Sequence, residues 1–184
     1  MVEEEERVQE GLVPLLFFSL YMKLNIKMKF YKGNIEPSEN TIFVFGSNPE
    51  GRHGAGAARI AVEKFGAIYG QGEGLQGNSY AIPTKDLRVK ENNGYRSISP
   101  EEITKSIRKL YALARERPDL NFKIAYRNTY TRSLNGYTGL EMLSMFLCDL
   151  PVPDNIWISE EWAEFILRNA NEKELMFMGG VYEG

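Results

Sequence analysis

The residue types that can do chemistry crowd into one stretch of this chain, from Phe43 to Ala58. It reads Phe-Val-Phe-Gly-Ser-Asn-Pro-Glu-Gly-Arg-His-Gly-Ala-Gly-Ala-Ala. His53, the only histidine, lies inside it. Imidazoles titrate near neutrality and suit general acid or base work. A loop histidine that only bonds to backbone is the competing reading. Gly46, Gly51, Gly54 and Gly56 surround it. Glycines let an anion approach the main chain, and a helix starting just after them offers free N–H groups and a positive dipole end. Two nucleotide fingerprints are not met. Arg59 stands where a dinucleotide motif needs its third glycine, and no Gly-Lys-Ser/Thr follows. A tight strand-to-helix turn without a ligand has the same glycine count.

Further candidates lie outside the stretch. Lys85 and Asp86 follow an apolar run at 79–83, and open α/β sheets place ligands at such strand ends. Most loop lysines are simply solvated, so position alone does not make Lys85 a chemical group. Residues 70–77 form a second glycine-dense segment without periodicity, read as a loop. Residues 133–139 form a third turn that leads into a helix. Cys148 is the single cysteine, which excludes an internal disulfide and a cysteine zinc site, and fits a reducing cytoplasm.

The surrounding pattern supplies elements to position these residues. Strands are predicted at 28–31, 42–45, 79–83, 122–126 and 155–158, with 127–132 continuing toward the sheet's edge. The 42–45 run is apolar on both faces, as in a covered strand. Helices are predicted from about 56 to 65, closed by Gly66, and from Ser99 onward. Ser99, Pro100 and Glu102 make a capping box with proline in the first turn. Ile103, Ile107, Leu110 and Ala114 give that helix one apolar face. Thr138 and Glu141 form a second capping box, before a helix apolar nearly all round. Ser159 caps a last helix. This alternation predicts an α/β fold, a three-layer α/β/α sandwich with a mixed, largely parallel central sheet.

With 184 residues and a net charge of -3, the chain suits one domain and has no basic stripe for bulk nucleic-acid binding. The expected division is an N-terminal extension at 1–27, a domain at 28–168 and a tail at 169–184. The apolar run at 11–24 is too short and interrupted for a membrane span, and lacks the start and cleavage site of a signal peptide.

The order of motifs resembles a macrodomain, over about residues 28–168. Gly33-Asn34-Ile35 precedes the 42–45 strand; Gly46-Ser47-Asn48 and the 53–58 loop follow; Leu134-Asn135-Gly136-Tyr137-Thr138-Gly139 comes later. The likeness is greatest to small stand-alone macro-like proteins of bacteria and their phages. It implies binding of ADP-ribose or a related nucleotide, without a cofactor, and an ADP-ribosylated protein as a partner. Hydrolysis of ADP-ribose 1″-phosphate, or removal of ADP-ribose from an acceptor, is the implied activity. By resemblance Asn34, with Ile35, reads adenine, an amide standing where the family has a carboxylate. Asn48 meets the distal ribose. Gly54, Ala55 and Gly56 form the first phosphate loop, and Asn135, Gly136, Tyr137 and Thr138 the second. Lys85 resembles the lysine that attacks ribose in one glycohydrolase branch, where a second-loop carboxylate assists. Here that loop offers Tyr137 and Thr138 and no acid. His53 and Lys85 are the catalytic candidates. A reader without chemistry, and an unrelated α/β protein with structural glycine loops, remain as alternatives.

Overall fold

The computed structural model describes residues 29–127, 130–147 and 151–162. The expectations for residues 1–27, for Cys148 and for the tail lie outside the described residues. So does the last helix beyond its opening turn at 160–162.

Among the described residues, six strands form one mixed sheet in the order β1-β6-β5-β2-β4-β3. They are β1 (Lys29–Tyr31), β2 (Thr41–Ser47), β3 (Gly74–Gln76), β4 (Ser79–Pro83), β5 (Asn121–Ile124) and β6 (Ile156–Ser159). All neighbours run parallel except β3, which pairs antiparallel with β4. Helices α1 (Gly56–Phe65), α2 (Pro100–Glu116) and α3 (Gly139–Leu147) lie between strands, with a short 3-10 turn at Glu91–Gly94.

Strand alternation sends the side chains of central β2 to two cores. Ile42 and Val44 join the apolar faces of α2 and α3. Phe43 and Phe45 join Ala58, Ala61 and Phe65 of α1. Phe43 stacks on Phe65 with centroids 4.4 Å apart. Burying both faces accounts for the unbroken apolar run in the sequence.

Helix ends follow from local chemistry. Ser99 Oγ accepts from the Glu102 amide at 3.3 Å, with Pro100 in the first turn. The Thr138 and Glu141 box closes in both directions. The Glu141 amide donates to Thr138 Oγ1 (3.2 Å) and the Thr138 amide donates to Glu141 Oε1 (3.3 Å). Gly66 ends α1 in the left-handed conformation, at φ 71°.

Two expectations need correction. The 70–77 segment is not wholly loop, because 74–76 pairs as β3. The Leu75↔Tyr80 register and the Ser79 hydroxyl donating to Gln76 O (2.7 Å) close a tight hairpin. Three paired residues are too few to show a period. The 122–126 strand ends at Ile124, and Arg132 does not extend it. Arg132 bridges Thr138 instead, closing the third turn on itself.

Candidate functional site

The C-terminal ends of β2, β4 and β5 and the start of α1 surround a cavity of about 690 Å3. Its floor contains Gly46, Thr84 and Tyr126. A side chain at Gly46 would collide with the Tyr126 hydroxyl. Burial pushes the Tyr126 phenol up to about 12, opposed by bonds to Thr84 and Asn135. Asn135 Nδ2 donates to that hydroxyl at 3.1 Å. One polar contact thus joins the strand ends to the third turn.

The first wall is the loop from Asn48 to α1. Asn48 is buried, and its amide is engaged within the loop. Nδ2 donates to Arg52 O (2.9 Å) and Oδ1 accepts from the Arg52 amide (2.8 Å). The closed ring fixes the loop's path. Gly54, Ala55 and Gly56 follow along the cavity and lead into α1. Ala55 precedes the helix and no side chain caps it. Among the described residues the first-turn amides of α1 meet no side-chain acceptor, and the helix's positive end lies at the cavity.

The opposite wall is the 132–135 segment, with Arg132, Ser133, Leu134 and Asn135 in the lining. Leu134 comes close to Gly56, where an added methyl would lie 3.1 Å from Leu134 Cδ1. The two walls therefore meet above the start of α1. Asn135 Oδ1 accepts from the Tyr137 amide at 2.9 Å. Tyr137 turns away, its hydroxyl donating to Ile98 O (2.8 Å), and Gly136 packs against Tyr95.

The candidate set therefore divides. Asn48, Gly54, Ala55, Gly56, Lys85 and Asn135 share the cavity. Asn34, Ile35, His53, Gly136, Tyr137 and Thr138 lie off its lining. Ile35 belongs to the α1-side core. Asn34 is exposed and accepts from Arg127 Nη2 at 3.2 Å. His53 is 5% exposed and edge-on to Phe45 at 5.2 Å. Its Nε2 lies 3.0 Å from Gln71 O and 3.2 Å from Gln76 Oε1. Both neighbours are acceptors, which assigns the proton to Nε2. Nδ1 is buried and has no hydrogen-bond partner. In this arrangement His53 holds the 70–77 segment against the back of the first loop.

Lys85 lines the cavity, with its ammonium 5.5 Å from the Tyr95 ring centroid. Asp86 is not in the lining. Arg88 grips it at 2.8 and 3.0 Å and holds its carboxyl down at about 2. Sequence reasoning missed Arg52, Arg127 and Arg132, which with Lys85 put four cations around the cavity. Among the described residues the lining contains no Asp or Glu. Among the described residues none of the four makes an ion pair with a carboxylate. Arg59, Arg88, Arg96 and Arg117 pair with Glu63, Asp86, Glu141 and Asp119. Only Arg52 had a visible signal, since it lies inside the glycine-rich loop. Among the described residues, no cluster of His, Cys, Asp and Glu could hold a metal ion, and no helix is long and apolar enough to cross a membrane.

Comparison with known proteins finds no matching family model, no matching curated protein and no matching solved structure.

Proposed function

We propose that the cavity binds ADP-ribose or a related nucleoside diphosphate, with the diphosphate between the Gly54–Ala55–Gly56 amides and the 132–135 wall. One observation carries this reading: an uncapped helix start opens on the same cavity as four cations that meet no described carboxylate. Helix dipole and cations both favour an anion. They do so in a chain whose net charge is -3, so the positive charge is local. A volume of about 690 Å3 suits a nucleotide-sized ligand. The macrodomain resemblance points the same way. The arrangement of α1 on one sheet face and α2 and α3 on the other supports reading the fold as macrodomain-like. A cytoplasmic setting is part of the proposal and rests on the single cysteine.

Calorimetric titration with ADP-ribose, ADP, NAD and AMP tests the reading. Binding of the diphosphates, with AMP clearly weaker, is expected. Folded protein that gives no heat with ADP-ribose at millimolar ligand contradicts it.

A second reading adds chemistry. Arg52 and Lys85 lie in the lining with no carboxylate partner among the described residues, which favours a ligand carrying a further phosphate, such as ADP-ribose 1″-phosphate. Cations placed there stabilise charge as a phosphate leaves. Phosphate release by wild type, slowed in Lys85→Ala and retained in folded His53→Ala, supports this hydrolase. No release by wild type leaves a reader of ADP-ribose.

A further inference from the structure

The two sides of the cavity differ in chemistry. Lys85 follows β4 and Arg127 follows β5, and β2 runs between these strands. On the β4 side the lining carries Lys85, and the first loop adds Arg52 to the same lining. On the β5 side Arg127 follows Ala125, and the lining also holds Ala57 and Ala58 of α1, a small apolar surface. These three alanines pack with Tyr31 and Ile35 in the α1-side core. Such a surface suits a flat ring better than a phosphate. Arg127 is held from behind. Its Nη2 donates to Asn34 Oδ1 at 3.2 Å, and its guanidinium lies beside the Tyr31 hydroxyl, which itself donates to Ile124 O at 2.6 Å.

We infer that Arg127 reads the base of a purine nucleoside diphosphate, so that the site favours a 6-oxopurine over adenine. The inference rests on the diphosphate reading above. Its basis is a count of donors. Arginine presents a planar fork of N–H donors and no acceptor. Hypoxanthine and guanine offer that fork two acceptors, N7 and O6. Adenine offers N7 and an amino group, which meets the fork donor to donor. Asn34 Oδ1, an acceptor suited to an amino group, already receives Arg127 and lies off the lining. Asn34 is therefore a positioning residue that acts through Arg127.

The test titrates the full chain with inorganic pyrophosphate, ADP and inosine diphosphate. Wild type should bind inosine diphosphate about fivefold more tightly than ADP. Arg127→Met should weaken both nucleotides and bring their ratio to about one. Arg127→Lys keeps the charge without the fork and should also lose the preference, which covers a methionine variant that fails to fold. Arg132→Met should weaken both nucleotides at an unchanged ratio. Asn34→Ala should lower the ratio part-way and leave pyrophosphate binding intact. Pyrophosphate binding with ADP held as tightly as inosine diphosphate overturns the base assignment alone. Failure of pyrophosphate and both nucleotides to bind overturns the diphosphate reading and this inference with it.

Discussion

Residues 46–56 and 70–77 each carry four glycines, yet the structure uses them differently. In the first segment Gly54 faces open space, and Gly56, itself left-handed at φ 56°, would bring an added methyl to Leu134 across the cavity. In the second, a side chain at Gly72 would strike the backbone of Asn48 and Pro49, and one at Gly77 the backbone of Gly66. Gly70 and Gly74 face open space, but at φ 94° and 91°, so the turn itself requires glycine. Gly51 belongs to the first segment and presses on Gln71 of the second. Glycine density alone therefore does not mark a ligand site. What distinguishes the first segment is an uncapped helix start and nearby cations that, among the described residues, meet no carboxylate. The second segment is the first one's support. Gly70 donates its amide to Gly51 O at 2.9 Å, and His53 reaches Gln71.

The largest effect should come from breaking that support. Gly51→Ala places a methyl against the Gln71 backbone at φ 67°, and should lower stability by roughly 3 kcal/mol in denaturant unfolding. A variant as stable as wild type would show that the two segments are not packed as described. His53→Ala comes next. It removes the contacts to Gln71 and Gln76 and the edge contact to Phe45, at about 1–3 kcal/mol. Protein that remains folded should keep most of its ligand affinity. Loss of affinity at unchanged stability would move His53 from support to site.

The cavity side should behave in the opposite way. Arg132→Met or Lys85→Met should leave the melting temperature nearly unchanged and weaken pyrophosphate several-fold, by about 1 kcal/mol each. The weakening should shrink at high salt. Equal pyrophosphate affinity in both variants would remove these cations from the site.

The smallest effect is one of pH. Burial pushes the phenols of Tyr31, Tyr80 and Tyr126 up to about 12. An unfolded tyrosine titrates near 10. The folded state therefore holds these protons longer. The stability they contribute is whole below about pH 10 and is lost as pH rises through about 12. Alkaline unfolding followed by tyrosinate absorbance should show phenol ionisation coinciding with loss of structure. Ionisation complete near pH 10 in folded protein would contradict their burial.

Much of the fold was legible because its signals are local. The doubly apolar run of β2, the capping boxes at Ser99 and Thr138, and Gly66 at the end of α1 each depend on a few neighbouring residues. β3 was not legible, since a three-residue strand among glycines has no period. The cavity was legible where backbone lines it, at Gly54, Ala55 and Gly56. It was less so where side chains do. Whether Arg127 or Arg132 meets a carboxylate depends on contacts between distant segments, and Asn34 is 93 residues from the arginine that occupies it. Asn48 was nearer to hand: its amide closes on the backbone of Arg52, four residues on.

Amide chemical-shift mapping with ADP-ribose tests the contrast between the two segments most directly. The largest shifts are expected at Gly54, Ala55, Gly56 and residues 132–135, with much smaller ones at 70–77. Largest shifts at 70–77, or none anywhere at millimolar ADP-ribose, would contradict it.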